Sequence, residues 1–231
     1  MKKTLLTICL VWMCFSLSAQ KIIDLSGKWS FSIDRQDNGE KEKWFSHTLN
    51  DFINLPGSMP EKLKGDEVTA KTQWTGSLYD SSYYYNPYME KYRKEGNIKF
   101  PFFLTPDKHY VGAAWYQKEV NIPADWKGER ILLFLERPHI ETTVWVNGQK
   151  TGMQNSLCVP HQYDITRYVR PGKCTITIRV DNRIKEINVG PDSHSITDQT
   201  QGNWNGIVGR ICLQTTPKTY FDDIQIYPEP E

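Results

Sequence analysis

The chain has 231 residues, of which 39% are hydrophobic and 13% aromatic, and it carries 28 basic against 27 acidic side chains. This length suits one large domain or two small ones and allows a sizeable buried core. A formal net charge of +1 argues against a nucleic-acid partner and a polybasic membrane surface, because both need a clustered positive field. Eight Trp, twelve Tyr and nine Phe supply enough apolar surface to exclude a disordered chain.

Residues 1–19 have the organisation of a secretory signal peptide. Lys2 and Lys3 precede an apolar run over residues 5–17, and small residues follow it. Charged, apolar and cleavage regions occur in this order in signal peptides, and the run is shorter than the roughly 20 residues of a membrane span. The sequence therefore predicts cleavage near Ala19, export to the periplasm or the extracellular space, and no membrane span afterwards.

The mature chain, residues 20–231, keeps the three cysteines Cys158, Cys174 and Cys212. An odd number allows one disulfide at most, even in an oxidising compartment. Neither these cysteines nor the five histidines have the spacing of metal ligands, so the sequence predicts no metal and no cofactor. Cys174 shares a strand face with aliphatic residues and is interpreted as a small buried hydrophobe.

Apolar and polar residues alternate along most of the mature chain, which indicates half-buried strands. The predicted strands lie, in chain order, around residues 29–33, 116–122, 131–135, 143–146, 174–180, 211–213 and 224–226. Residues 131–135 are apolar on both faces, which is typical of a central or covered strand, and Asn147-Gly148 is a hairpin turn. The strongest helix candidate is short, at residues 89–94. Short strands without long helices predict an all-β jelly-roll sandwich and argue against a (β/α) barrel.

The predicted sandwich is interrupted at about residues 56–110. This stretch is too aromatic for a disordered linker and too irregular for strands, and it is interpreted as a long ordered excursion. Its tyrosines could stack on sugar rings, although packing is the preferred interpretation. They are Tyr83, Tyr84, Tyr85 and Tyr88.

Several short segments follow one another in a recognisable order. They are Leu25-Ser26-Gly27-Lys28-Trp29-Ser30-Phe31, Leu55-Pro56-Gly57, Ala114-Trp115-Tyr116-Gln117-Lys118, Ile122-Pro123 with Trp126, Val144-Trp145-Val146-Asn147-Gly148, His161-Gln162-Tyr163-Asp164-Ile165-Thr166, Ile178-Arg179-Val180-Asp181-Asn182 and Asn205-Gly206-Ile207-Val208-Gly209-Arg210-Ile211. Each is weakly specific alone, but in this order they resemble the N-terminal sugar-binding domain of glycoside hydrolase family 2. That family contains β-galactosidases and β-glucuronidases.

This resemblance implies a galactose-binding-domain-like jelly roll that serves carbohydrate metabolism through the hydrolysis of O-glycosyl bonds. In the family, a downstream barrel supplies the acid/base and nucleophile glutamates, which retaining hydrolysis places about 5 Å apart. The sequence ends at Glu231, so we expect no catalytic residue in this chain and little or no hydrolysis by it. Three interpretations stay open: part of a hydrolase with an exposed apolar docking patch, a free-standing carbohydrate-binding module, or an interaction protein that binds a separately encoded barrel. The apolar outer face of residues 131–135 is a candidate for that patch.

The resemblance also implies that the loop before Gly206-Ile207 reaches the sugar. Its amides, carboxylate and indole suit hydroxyl recognition and stacking on an apolar sugar face. The predicted carbohydrate contacts are His194, Asp198, Gln199, Thr200, Asn203, Trp204 and Asn205. Counting back from Gly206-Ile207 places the family's acidic sugar contact at Thr200, two residues after Asp198.

Other polar residues have framework interpretations. His161 is expected to be a structural hydrogen-bonding residue. Asp164 and Asp181 follow strands and are expected to cap turns. Together with Glu136 and Glu141 they form no predicted catalytic pair, because their spacing places no two of them across one cleft.

Overall fold

A computed structural model of the protein describes residues 20–76, 81–101, 104–185, 193–221 and 223–229. The signal-peptide prediction therefore lies outside the described residues. The strands are β1 (Ile22–Asp24), β2 (Gly27–Asp34), β3 (Asp51–Leu55), β4 (Gly57–Ser58), β5 (Asp66–Glu67), β6 (Lys108–His109), β7 (Ala113–Ile122), β8 (Arg130–Pro138), β9 (Glu141–Val146), β10 (Gln149–Asn155), β11 (His161–Asp164), β12 (Gly172–Asp181) and β13 (Gly206–Thr216). Helix α1 spans Ser82–Tyr85, and short 3-10 helices span Trp44–Ser46, Pro87–Tyr92, Ala124–Trp126 and Thr166–Tyr168.

The strands form two antiparallel sheets that face each other. The first sheet has the order β1-β13-β8-β11, with β4 also paired to β13, and the second has the order β10-β9-β12-β7-β2-β3. A separate two-stranded ribbon joins β5 to β6. Strands that follow one another in sequence repeatedly change sheets, so the chain wraps around a single core. The architecture is the all-β sandwich that the alternating pattern predicts.

The core lies between the inner faces of the two sheets. Trp29 and Phe31 from β2, Tyr116 from β7 and Leu133 from β8 are almost completely buried there. The Trp29 indole donates a hydrogen bond to the Leu25 carbonyl at 2.8 Å, which satisfies its one polar atom inside the core. The strands predicted around residues 29–33, 116–122, 131–135 and 174–180 are confirmed as parts of β2, β7, β8 and β12.

Strand β8 is a central strand of the first sheet, between β13 and β11. Its inner residues join the core, and the outward-facing Leu132 and Phe134 are only 6% and 8% exposed. The Arg210 guanidinium lies 4.7 Å from the Phe134 ring centroid and covers part of that outer face. The prediction of a covered central strand is confirmed. The suggestion that residues 131–135 form an exposed docking patch is wrong, because the chain itself buries this face.

The turn between β9 and β10 is the predicted hairpin. Asn147 and Gly148 have φ angles of 50° and 77°, as a two-residue type I′ turn requires. The Asn147 side chain also accepts from the Thr175 amide at 3.0 Å and donates to the Tyr168 carbonyl at 3.1 Å. The turn is therefore fastened to β12 as well as closing its own hairpin.

The outer face of the second sheet holds a cluster of aromatic residues that the alternating pattern does not predict. Trp115 and Trp145 are buried there with their ring centroids 5.0 Å apart. Phe45 stacks on Trp145 at 5.1 Å, and Trp44 packs on Trp115. The segment between β2 and β3 thus covers strands β7 and β9, so these strands are buried on both faces.

Two predicted elements differ in the structure. Residues 224–226 form no strand, and Ile224 and Ile226 are 68% and 82% exposed. Their alternation is typical of a strand, but none of the described strands pairs with them. The predicted helix at residues 89–94 is a 3-10 helix over Pro87–Tyr92, one of the short turns in the excursion. No helix in the described part of the chain is long and apolar enough to span a membrane.

Between β4 and β7 the chain leaves the sandwich and forms a small hydrophobic cluster of its own. Tyr83 and Phe100 are buried at its centre, with ring centroids 4.3 Å apart. Half-buried Val68, Trp74, Met89, Tyr92 and Ile98 pack around them.

Of the three cysteines, Cys158 is exposed, Cys174 and Cys212 are buried, and each has a free thiol. The prediction for Cys174 is confirmed.

Candidate functional site

The loop that enters β13, Ser193–Asn205, is held by its own turns. The Thr197 carbonyl accepts amide hydrogen bonds from Thr200, Gln201 and Gly202 at 3.1–3.2 Å. The Thr200 hydroxyl bonds the Thr197 hydroxyl at 2.8 Å and donates to the His194 carbonyl at 2.6 Å. Gly202 has a φ of 74°, a left-handed conformation that favours glycine. The loop is therefore a compact turn that is held by its own hydrogen bonds.

Asp198 ties this loop to the aromatic excursion. Its side chain is 2% exposed, and its carboxylate accepts the Thr75 amide and the Asn203 amide, both at 2.6 Å. The ring Nε2 of His109, at the end of β6, lies 3.2 Å from the same carboxylate. The Asp198 amide in turn donates to the Thr75 carbonyl at 3.1 Å. A buried carboxylate with this many donors is a strong local anchor.

Asn203 joins the same anchor from the other side. It is 3% exposed, and its amide group donates to the Thr75 hydroxyl at 2.9 Å and to the Asn182 carbonyl at 3.0 Å. Its Oδ1 atom is buried and makes no hydrogen bond of ordinary geometry with a described residue. Asn203 therefore connects the loop to both the excursion and the end of β12.

Asn205 is fully buried at the start of β13. Its amide donates to the carbonyls of Gly112 and Val180 at 2.9 and 3.0 Å, and its Oδ1 accepts the Tyr116 hydroxyl at 2.7 Å. Its backbone carbonyl accepts the Met59 amide at 2.7 Å. Both N–H groups and the carbonyl oxygen of this side chain are hydrogen-bonded inside the protein. The structure gives Asn205 a framework role and no surface from which to touch a ligand.

The accessible part of the loop consists of the other predicted residues. His194 is exposed, and Gln199, Thr200 and Trp204 are partly exposed. The Trp204 ring lies against His139, with centroids 4.6 Å apart and an angle of 32° between the planes. His139 is 6% exposed. It supports one side of the indole ring and leaves the ring partly open to solvent.

The predicted loop thus divides into two groups. Asp198, Asn203 and Asn205 are buried and position the chain, whereas the indole, the amide of Gln199 and the ring of His194 reach the surface. The sequence prediction omitted Thr75, His109 and His139, which hold the loop in place. No local signal marks them, because 123 residues separate Thr75 from Asp198 and 89 separate His109 from it.

The other polar residues have the structural roles that were predicted, with one addition. His161 is buried, with Nδ1 2.6 Å from the Thr142 hydroxyl and Nε2 3.2 Å from the Ser156 carbonyl. The Asp164 carboxylate accepts the Thr166 amide at 3.1 Å, as a turn cap does. Asp181 accepts the Arg183 amide at 3.0 Å in the same manner, but it is also the centre of an ion-pair cluster.

That cluster lies where β12 ends beside β9. The fully buried Asp181 carboxylate contacts Arg179 at 3.0 Å, Arg183 at 2.6 Å and Lys185 at 2.9 Å. Burial by itself raises the pKa of Asp181, but hydrogen bonds from Arg183 and Lys185 outweigh burial and hold it well below its usual range. Glu141 pairs with Arg179 at 3.3 Å and Lys185 at 2.9 Å. The Asp181 carboxylate is therefore kept ionised and is not poised to donate a proton.

The architecture and the loop together match a known family. Residues 22–217 match the family model described as "Glycosyl hydrolases family 2, sugar binding domain". The chain belongs to this family. The family 2 sugar-binding domain accounts for most of the sequence, and the predicted family and sandwich fold are confirmed.

Relatives of this family 2 domain are much longer proteins. A β-glucuronidase from Paenibacillus borealis is 27% identical over 222 residues, which cover 90% of this chain and 31% of that protein. The β-glucuronidase of Homo sapiens is 25% identical and covers 88% of this chain and 30% of that protein. A solved Ruminococcus gnavus β-glucuronidase, in complex with D-glucaro-d-lactam, superposes with a TM-score of 0.60 at 17% identity, over 87% of this chain and 30% of that one. The chain therefore spans about 30% of the length of these relatives.

Because the ring of His139 is buried, we expect the stability of this family 2 domain to depend on pH. Burial lowers the pKa of His139 to about 4, and contact with Asn203 and the charge of Asp198 act in the opposite direction. In the unfolded chain a histidine has a pKa of about 6.5, so the unfolded state binds the proton first as the pH falls. The stability that the neutral ring contributes is complete above about pH 6.5 and is lost towards pH 4. The loss is up to roughly 3 kcal/mol.

Urea unfolding at several pH values between 7.5 and 4.5 measures this loss. Replacing His139 by Gln is expected to flatten the slope, and replacing the exposed His47 by Gln is the matched control. The His139 ring proton resonance of the unaltered protein provides a second measurement, with a midpoint expected near pH 4. A midpoint near 6.5 contradicts the prediction.

Proposed function

We propose that this domain contributes a carbohydrate-contacting surface to a glycoside hydrolase whose catalytic barrel lies downstream or on a separately encoded chain. The observation that carries the proposal is the rigid mounting of the Ser193–Asn205 loop. Buried Asp198 fixes the loop to Thr75 and His109, while Trp204 stays partly open to solvent. A ligand that meets such a loop does not have to order it, and this lowers the entropic cost of binding.

The accessible side chains have the chemistry that sugar recognition requires. An indole ring covers the apolar C–H face of a pyranose, and the imidazole behind it fixes its orientation. The primary amide of Gln199 can donate to one sugar hydroxyl and accept from another. We assign sugar contact to Trp204, Gln199, Thr200 and His194, and positioning of the loop to Asp198, Asn203 and Asn205. The relatives are β-glucuronidases, which makes glucuronides the first ligands to test.

The same proposal assigns bond cleavage to the barrel. Retaining hydrolysis needs one carboxyl group with a raised pKa beside an ionised carboxylate. Among the described residues, the Asp and Glu carboxyls whose pKa departs clearly from its ordinary value all shift downward. The Asp198 carboxylate accepts two backbone amides and lies 3.2 Å from the His109 ring, so its contacts serve to hold the loop.

Export belongs to the proposal as well. The charged, apolar and small-residue regions of residues 1–19 support a cleaved signal peptide, and hence a periplasmic or extracellular location. The mass of the purified mature protein tests this directly, because cleavage near Ala19 removes both lysines and the apolar run. An intact N-terminal methionine on the exported protein contradicts it.

Calorimetric titration tests the site, with galactosides, glucuronides and plant oligosaccharides as ligands and hydrolysis assayed on the same samples. We expect binding without turnover, and at least a tenfold loss of affinity on replacing Trp204 by Ala, because the stacking face disappears. Replacing Trp44 by Ala is the matched control, since it is another partly exposed tryptophan and packs on the far sheet. Turnover by this chain contradicts the assignment of chemistry to the barrel. Absence of binding, or binding unaffected by loss of Trp204, contradicts sugar contact by the loop.

A further inference from the structure

The excursion carries a second surface with the chemistry of sugar recognition. We name it the tyrosine turn, residues 82–92, which comprises helix α1 and the 3-10 helix Pro87–Tyr92. Tyr84, Tyr85 and Tyr88 are 49%, 72% and 84% exposed. Large aromatic side chains usually bury most of their surface, so three exposed rings within five residues mark an interaction site.

The turn is rigid because its fourth tyrosine is an anchor. Tyr83 is fully buried and stacks on Phe100 at 4.3 Å. The Tyr83 hydroxyl donates to the Tyr92 carbonyl at 2.9 Å, and the Arg93 guanidinium donates to the Tyr83 carbonyl. These contacts fasten both ends of the turn to the hydrophobic cluster of the excursion.

The middle of the turn is fixed by Asn86. Its side-chain oxygen accepts the Tyr88 amide at 3.0 Å, and its backbone amide donates to the Ser82 carbonyl at 2.8 Å. The Met89 amide donates to the Asn86 carbonyl at 3.0 Å. The backbone that presents the three exposed rings is therefore ordered before any ligand arrives, which is the condition for efficient recognition by a few aromatic side chains.

We propose that the tyrosine turn is a second carbohydrate-binding site, separate from the Ser193–Asn205 loop, and that Tyr84, Tyr85 and Tyr88 stack on pyranose rings of a polysaccharide chain.

The composition of the turn favours a glycan over an apolar protein partner. Each of its large exposed rings is a phenol, which offers a π-face to sugar C–H groups and a hydroxyl to sugar hydroxyls. Of the two aliphatic residues of the turn, Met89 packs against the hydrophobic cluster of the excursion, and the small ring of Pro87 is exposed. A hydrophobic protein interface is instead expected to expose aliphatic or phenylalanine side chains around such rings.

The site does not depend on the proposed function of the loop. The two surfaces share no residue, although the excursion that carries the turn also supplies Thr75 to the loop. Residues 81–101 contain four basic and two acidic side chains, so an acidic polysaccharide gains an additional electrostatic term there. Both neutral and acidic glycans present the pyranose faces that stacking requires, and the experiment separates them.

Affinity electrophoresis of the purified chain tests the proposal, in native gels that contain either a soluble neutral β-glucan or polygalacturonate. We expect a glycan in the gel to retard the protein, and we expect the triple variant Tyr84→Ala, Tyr85→Ala, Tyr88→Ala to lose at least four-fifths of that retardation. The matched control replaces Tyr220, Phe221 and Tyr227 by Ala. These three are exposed by 41%, 86% and 81% in the C-terminal segment, and their loss is expected to leave retardation unchanged.

The other outcomes overturn the proposal in distinguishable ways. Retardation that disappears in Trp204→Ala and survives in the tyrosine triple variant places all glycan binding on the loop. If polygalacturonate alone retards the protein, and this retardation is abolished by salt but kept in the triple variant, the binding is electrostatic. It is then assigned to the basic side chains of residues 81–101. If the triple variant is retarded like the unaltered protein and differs from it only in its sedimentation coefficient, the tyrosine turn is a protein interface. An unaltered protein that neither gel retards removes the site.

Discussion

Replacing Asn205 by Ala is expected to lower the free energy of unfolding by about 4 kcal/mol. The side chain is 0% exposed and bonds two backbone carbonyls and the Tyr116 hydroxyl. Its removal leaves these buried groups without their partner, and each unsatisfied polar group costs about 1–3 kcal/mol. The side chain lies between β13, which it precedes, and its partners Tyr116 in β7 and Val180 in β12, so its loss is felt in both sheets.

Urea denaturation followed by tryptophan fluorescence measures this effect. The matched control is Asn121→Ala, an exposed asparagine in β7, for which a change within about 0.5 kcal/mol is expected. Combining Asn205→Ala with Tyr116→Phe removes one of the orphaned groups, so the double variant is expected to be less unstable than the sum of the two single variants. A loss below about 1 kcal/mol for Asn205→Ala contradicts the framework role given to this residue.

Replacing Asp181 by Asn is expected to destabilise the domain by roughly 3–5 kcal/mol at pH 7, because it removes one partner from a buried ionic cluster. Arg179 is 8% exposed and depends on Asp181, Asp37 and Glu141 for compensation. The isosteric amide keeps the shape of the side chain and loses the charge. Asp125→Asn is the control, because Asp125 is 64% exposed in its ion pair with Lys21 and such pairs contribute little.

The difference in unfolding free energy between the unaltered protein and Asp181→Asn is expected to decrease as the pH falls. The pKa of Asp181 in the folded domain lies well below its ordinary value, so the unfolded chain takes up the proton first. The stability that the carboxylate contributes is complete above about pH 4 and is lost as the pH falls through the folded pKa. The gap between the unaltered protein and Asp181→Asn should therefore narrow at pH 3. A gap that stays constant between pH 7 and pH 3 contradicts the role of the charge.

Local patterns predict most of the sandwich, because strands with one buried face must alternate. The elements that escaped prediction depend on contacts between distant segments. Trp145 alternates like any strand residue, but Phe45, a hundred residues earlier in the chain, stacks on it. Residues 224–226 alternate equally well and remain unpaired, because alternation records no information about a partner strand.

The family pattern and the polar composition predict where the candidate site lies. They do not predict which residues of the loop are exposed and which are buried. Gln199 and Asn205 are similar amides six residues apart, yet one is partly exposed and the other is buried with every bond used. That difference is decided by Tyr116 in β7, Val180 in β12 and Gly112 just before β7. The sequence predicts that this loop contacts a sugar, and the packing separates its accessible side chains from its buried ones.

The place of β13 has a consequence for how the domain assembles. β13 is the last strand in the described part of the chain, yet it lies between β8 and β1, the first strand of that part, and it also pairs with β4. Ile22 is opposite Gln214 in this ladder, so the first sheet joins the two ends of the fold. Such long-range pairing gives slow folding. A ribosome that releases this chain from its N-terminus must deliver residues up to about 216 before the first sheet can close. Until then β1 and β4 have no β13 to pair with.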